Sequence, residues 1–281
     1  MSTNEYVLGV TRGEYDRLEI QHSLWASRAI RLWERAGLPR ESKKPVTALD
    51  IGCGPGFTTF ELANYLGKNS KVVGVDLAEK YLNALEARAQ AERSRGEKSR
   101  LASIETIHSP IDTFSHSERD FDAAYARWIF IFLRDPETAI QNIAKHIRPG
   151  GLFMLQEYVD YRTMALHPSR PIFKKMVEAV IASWAAAGGD ANVAARLPAL
   201  LEKNGFKVLS LTPQTRVGRP HQKIWQWPDI FFKNYLQILS RDGFLTVSET
   251  DELLADWVAA SKNPSAFYIG PMVLDIVAQK L

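Results

Sequence analysis

The sequence predicts an α/β fold: a doubly wound, mostly parallel seven-stranded sheet with helices on both faces. A helical segment precedes the sheet, and a helical cap is inserted between its last two strands. Three observations predict this. Short β-rich runs alternate with amphipathic helical runs through the middle of the chain, the pattern of parallel strands joined by helical crossovers. A glycine-rich turn, Gly52 to Gly56, lies between the first such strand and the first such helix. An acidic residue, Asp76, closes the second strand.

The elements follow in order. The first strand is read at residues 46–51, and a helix at 58–66 is closed by Gly67. Lys71–Asp76 is the second strand, and its helix, Glu79–Arg93, carries Leu82, Leu85 and Ala89 at helical spacing. Ser103–His108 and 121–126 are the third and fourth strands. Asp135 caps the next helix with Pro136 at its first position, and Pro149-Gly150-Gly151 is expected to end it. The fifth strand is expected at 152–157, helices at 171–187 and 193–203, the sixth strand at 207–211 and the last at 272–278. The organisation expected is a helical segment at 1–44, a sheet core at 45–221 and 267–281, and a cap at 222–266.

Composition narrows the function classes. With 46% hydrophobic and 24% charged residues in 281, the chain can bury a substantial core without disulfides or structural metal. Cys53 is the only cysteine, which excludes an intramolecular disulfide and a cysteine-based zinc cluster. The six histidines are scattered without ligand spacing. Net charge is +3, too balanced to argue for nucleic acid. The basic group at Arg88, Arg93, Arg95, Lys98 and Arg100 reads as a solvated helix end. The beginning of the sequence lacks the pattern of a secretory signal, and no apolar run approaches a membrane span, so a cytoplasmic, soluble protein is expected. A homodimer is compatible with the sequence, which does not decide the oligomeric state.

The chemistry centres on Leu49-Asp50-Ile51-Gly52-Cys53-Gly54-Pro55-Gly56. Glycines let a backbone turn sharply and approach a ligand closely, and the helix behind the turn offers free N–H groups. Asp76 is placed to accept both ribose hydroxyls of an adenosine. A dinucleotide fingerprint needs G-x-G-x-x-G, but Phe57 occupies its third glycine position. Asp50 would repel a pyrophosphate and suits a ligand carrying an ammonium and a sulfonium. The charge logic therefore favours S-adenosylmethionine (SAM) over NAD.

These residues, with Val73-Gly74-Val75-Asp76-Leu77, Phe121 to Arg127 and Ile147-Arg148-Pro149-Gly150-Gly151, resemble the Rossmann-like (class I) SAM-dependent methyltransferases. The resemblance covers about residues 45–157 and is to the branch of ubiquinone/menaquinone-biosynthesis and natural-product methyltransferases. It implies roles for Asp50, Gly52, Cys53, Gly54 and Gly56 at the methionine and ribose part. It puts Asp76 on the ribose, Leu77, Tyr81 and Ile111 around adenine, and Arg127 at the methionine end. Where the family often has an aspartate reaching the adenine amine, this chain has Ser109-Pro110, so Ser109 is the residue in that place.

Methyl transfer from a sulfonium needs alignment and a dry site more than a catalyst for the leaving group. Relatives often carry histidine after strand four; here the segment is Trp128-Ile129-Phe130-Ile131-Phe132-Leu133. The end of strand five offers Glu157, Tyr158, Asp160 and Tyr161 instead, with Glu157 and Tyr158 the candidates for the acceptor site. The cap concentrates Trp225, Trp227, Phe231, Phe232 and Tyr235, which could roof an apolar or aromatic acceptor. Tyr6, Gln21, His22 and Trp25 could close the other side. The expected function is methylation of a small molecule on O, N or C. Two other classes stay open: a SAM-binding protein that does not methylate, whether a regulatory module or a SAM-assisted cyclase, and a macromolecular methyltransferase.

Overall fold

A computed structural model describes residues 12–96 and 99–281. After α1 (Arg12–Arg35), strands and helices alternate as β1 (Thr47–Ile51), α2 (Phe57–Leu66), β2 (Lys71–Asp76), α3 (Glu79–Arg93), β3 (Ser103–His108), β4 (Phe121–Arg127), α4 (Pro136–Ala144) and β5 (Ile147–Asp160). There follow β6 (Ala165–His167), α5 (Pro171–Ala186), α6 (Leu197–Lys203), β7 (Phe206–Gln214) and β8 (Val217–Gly218). The chain ends with α7 (Gln226–Arg241), α8 (Val247–Ser261), β9 (Phe267–Ile269) and β10 (Met272–Lys280).

The main sheet has seven strands in the order β3-β2-β1-β4-β5-β10-β7. β1 pairs in parallel with β2 and β4, β2 with β3 and β4 with β5, while β10 runs antiparallel between β5 and β7. The fold class is the one the alternation predicted. Leu49, Ile51, Val73 and Val75 are fully buried because helices cover both faces of these strands. α1 closes one side with Leu24, Trp25, Ala29, Leu32 and Trp33, a stripe at helical spacing.

Local chemistry sets the element ends. Asp135 accepts from the Glu137 and Thr138 amides (3.0 and 3.1 Å) at the start of α4. Thr246 and Glu249 form a reciprocal capping box on α8. One expectation is corrected: α4 stops at Ala144, before Pro149-Gly150-Gly151, and β5 runs through that tripeptide. The pairing of β5 with β4 slips between Phe121 and Ala123, which accommodates a proline and a left-handed Gly150 (φ 76°) inside a strand.

A second sheet, β6-β9-β8, was not expected. It is antiparallel, and it ties residues after β5, after β7 and before β10 together at one end of the main sheet. α7 packs against α1 and α5, and α8 against α5, with Trp227 of α7 stacked on Trp128 just past β4.

Candidate active site

The glycine turn leaves β1 with left-handed backbone at Gly52, Gly54 and Gly56 (φ 67°, 52° and 80°). Two of these positions require glycine for different reasons. A Cβ at Gly56 would stand 2.3 Å from the Leu85 side chain, so α3 packs directly on the turn. A Cβ at Gly54 would meet nothing within 4 Å, because that position faces an open cleft. Asp76 fastens the turn: its carboxylate accepts from the Gly54 amide at 2.7 Å and the Ala78 amide at 2.8 Å. Burial raises its pKa, opposed by those same amides.

The cleft is about 1120 Å³ counted out to its open mouth. Asp50, Gly52, Cys53, Gly54, Asp76, Tyr81 and Arg127 line one half of it. Asp50 is buried and accepts from the Thr59 hydroxyl at 2.7 Å; burial raises it to about 7, against the opposing pull of Thr59 and Arg127. The Arg127 Nη2 group donates to Thr58 Oγ1 at 2.9 Å and faces His22 Nδ1 at 3.3 Å, while its Nη1 is buried without a protein partner. Burial is also the main reason the His22 imidazole sits below its ordinary range.

Other residues implied by the resemblance fall elsewhere. Ile111 packs in the core, and its carbonyl takes the Asn142 amide. Leu77 is 38% exposed and its carbonyl meets His108 Nε2 at 2.9 Å. The Ser109 hydroxyl turns back to the Pro110 carbonyl at 3.2 Å. Ile111, Leu77 and Ser109 do not line the cleft, and Gly56 supports it from behind the turn.

The other half of the cleft is aromatic. Trp128 stacks at 5.7 Å on Tyr158 and 5.9 Å on Trp227. Tyr158, Tyr161 and Trp184 continue the wall, at 5.1 Å between Tyr158 and Tyr161 and 5.0 Å between Tyr161 and Trp184. Trp227 reaches Tyr268 at 6.5 Å, and Phe231 and Met164 complete the lining. The guanidinium of Arg127 lies 5.2 Å over the Trp128 ring and joins the two halves.

Of the cap aromatics, Trp227 and Phe231 line the cleft; Trp225 stacks on Trp257, and Phe232 and Tyr235 are buried in the core. On α1, Gln21 and His22 reach the cleft, whereas Trp25 is fully buried against Trp128 and Trp227. Tyr6 lies outside the described residues. Sequence reasoning missed Trp184, Met164 and Tyr268, and it noticed Trp128 only as part of an apolar run.

Trp128 has a left-handed backbone, φ 53°, which a bulky residue adopts only when its surroundings hold it there. Glu157 supplies that hold. Its Oε1 accepts from the Ile129 and Phe130 amides at 2.8 and 2.9 Å, directly after Trp128. Glu157 is fully buried and does not line the cleft, whereas its neighbour Tyr158 does. Glu157 is thus a clamp on the turn that presents Trp128, not a group within reach of a substrate.

Burial raises Glu157 to about 8 from 4.5, and its Oε2 has no partner. The folded protein therefore holds a proton there that the unfolded chain releases between these values. Stability supplied by this group is fully present below about 4.5 and falls as pH rises towards about 8, by up to about 1.4 kcal/mol per unit. Glu157→Gln keeps the accepting oxygen and removes the titration. Urea unfolding between pH 6 and 8 should show a flatter stability profile for this variant; an unchanged slope would remove Glu157 as its source.

Residues 48–151 match the family profile described as a methyltransferase domain. The demethylmenaquinone methyltransferase of Lactococcus lactis subsp. lactis (strain IL1403) is 25% identical over 171 residues, covering 59% of each protein. The O-methyltransferase cnsE of Penicillium expansum is 24% identical over 196 residues, 70% of this chain and 64% of that one. The chain thus spans about three fifths of the length of these relatives. Geranyl diphosphate C-methyltransferase from Streptomyces coelicolor A3(2), solved with S-adenosyl-L-homocysteine (SAH), shares the fold at a TM-score of 0.57. It is 14% identical over 92% of this chain and 77% of that one. Over residues 48–151 the chain is thus similar to methyltransferase domains, and it shares its fold with the solved C-methyltransferase. SAM is the cofactor that this resemblance implies, and the half-cleft fits it: an open glycine turn, a carboxylate at Asp76, and an unpartnered buried N–H on Arg127.

Proposed function

We propose that this protein transfers the methyl group of SAM to a small apolar or aromatic molecule. The observation that carries the reading is the continuity of the cleft: the glycine turn, Asp76 and Arg127 open directly into the aromatic chamber across the Arg127–Trp128 contact. When bound, SAM supplies an electrophilic methyl whose S–C bond pair stays on sulfur as a lone pair of the acceptor takes the carbon. Asp76 would hold the ribose hydroxyls. Asp50 would face the ammonium, and the unpartnered Nη1 of Arg127 the carboxylate, of the methionine part. α1, Trp227 and Phe231 wall the acceptor half with largely apolar surface, which suits alignment-driven transfer. The names of the relatives support a small acceptor, demethylmenaquinone in the bacterial case.

Among the described residues the acceptor half holds no group poised as a base. Burial pushes Tyr158 and Tyr161 upward, so both stay protonated near neutral pH. His22 has Nδ1 against Arg127, and Nε2 faces Glu61 at 3.7 Å. The acceptor must then bring a nucleophile that is already electron-rich or readily ionised. The same observation favours the second reading, SAM binding without methylation.

The test has two parts. Thermal-shift titration should show stabilisation by SAH and none by NAD; the reverse ranking would sink the proposal. Methyl-labelled SAM and a panel of small acceptors should then give acceptor-dependent SAH. Cofactor binding with no transfer to any of them would support the second reading.

A further inference from the structure

The chamber beside the cofactor half is rich in hydrogen-bond donors that the protein leaves unused. Tyr158, Tyr161 and Tyr268 are 6%, 3% and 1% exposed and all line the cleft. Among the described residues none of their hydroxyls has a hydrogen-bond partner. The Trp128 indole N–H is buried and also unpartnered. Hydroxyls that open onto a cavity with no protein partner are free to bond a ligand that fills it, and the buried, orphaned Trp128 N–H is the group that ordinarily has a partner.

The walls say what shape that ligand has. Trp128 and Trp227 lie at 29° to each other, and Trp128 and Tyr158 at 24°. These rings stack on one another at 5.7 and 5.9 Å and leave no slot between them, while Tyr158–Tyr161 and Trp227–Tyr268 meet edge to face at 86° and 80°, so the chamber offers an aromatic body outward ring faces and edges. The charges say what it carries. Among the described residues no lysine and no carboxylate lines this half. Arg17 is tied to both oxygens of Glu14 at 2.7 and 2.6 Å and to Gln21 at 2.6 Å. Gln21 Oε1 also takes the Trp227 indole N–H at 3.2 Å, so the amide oxygen on this wall is occupied. An ammonium would find no carboxylate counter-charge among the described residues of this half, only ring faces and hydroxyl oxygens.

We infer that the acceptor is a flat aromatic molecule carrying carbonyl or phenolic oxygens, received by the hydroxyls of Tyr158, Tyr161 and Tyr268 and the indole N–H of Trp128. The inference rests on the methyltransferase reading for the word acceptor; the binding it describes does not. It also meets the need for an acceptor that ionises readily, since a phenol or enol held by these donors is more acidic than a free one.

The experiment uses the full chain, with and without saturating SAH, and follows quenching of its tryptophan fluorescence by three probes: 1,3-dihydroxynaphthalene, naphthalene and 1-naphthylmethylamine. The diol should bind at least roughly tenfold tighter than either other probe, as two or more neutral hydrogen bonds give. The double variant Tyr161→Phe/Tyr268→Phe should lose roughly that factor for the diol and leave naphthalene binding within about twofold. Its melting temperature, close to wild type, separates lost hydrogen bonds from lost structure. Equal binding of naphthalene, tightest binding of the amine, no binding of any probe, or a double variant that binds the diol like wild type would each overturn the inference. SAH affinity measured on the same samples tests the methyltransferase reading separately. Intact SAH binding with a failed diol sinks the chamber inference alone, and diol binding without SAH binding sinks the methyltransferase reading alone.

Discussion

Asp76→Ala should weaken SAH binding by at least about tenfold in calorimetry, and Asp76→Asn by less. The carboxylate does two jobs on the page. It accepts from the Gly54 and Ala78 amides, which fixes the glycine turn, and it stands in the cleft with lone pairs left for a ribose. Hydrogen bonds to a charged group contribute about 1.5–3 kcal/mol each, and 1.4 kcal/mol is a factor of ten in affinity. Losing one such bond already gives the tenfold effect, and loss of the turn's anchor adds to it. Asparagine keeps one accepting oxygen and so part of the turn. Burial raises the Asp76 pKa, so affinity should not improve on acidification. A folded Asp76→Ala protein that binds SAH like wild type would take Asp76 out of the site.

The turn was legible because it is local. Gly52, Gly54, Gly56 and Asp76 sit at spacings fixed by one strand, one helix and the next strand, and the structure brings Asp50, Cys53, Tyr81 and Arg127 to the same half-cleft. The second sheet was not legible because β6 and β9 span three residues each and β8 two, too short for a period of two to register. Tyr268, carried by β9, was missed with it. Glu157 and Tyr158 show another limit. Neighbours on a strand point to opposite faces, so one of the pair had to leave the cleft, and composition cannot choose which. Trp128 depends on a left-handed backbone imposed from β5 by Glu157, a long-range cause with no local signature. Ile111 shows the opposite limit. Its place after β3 fits the family pattern, but Asn142 and the core claim it.

Helical spacing likewise could not say which cap aromatics face a ligand, and this sets up the last expectation. Trp227→Ala should raise the acceptor KM by about tenfold or more while SAH affinity stays near wild type, because Trp227 stands in the acceptor wall against Trp128 and Tyr268. It should also cost stability, about 3–5 kcal/mol for a buried tryptophan, or roughly 10 °C in Tm for a chain of this size. The ring packs on Trp25 at 5.3 Å and its N–H is held by Gln21, so α1 loses a contact with α7. The two effects are separable through Trp225→Ala. Trp225 is equally buried, but it stacks on Trp257 at 4.2 Å and does not line the cleft. It should lose comparable stability and keep its KM when assayed well below its Tm. If both variants melt early and both keep wild-type kinetics at low temperature, the cap aromatics are scaffold alone. If only Trp227→Ala loses acceptor affinity, the wall of the chamber is the acceptor's binding surface, and the stability cost is the separate consequence of unpacking α1 from α7.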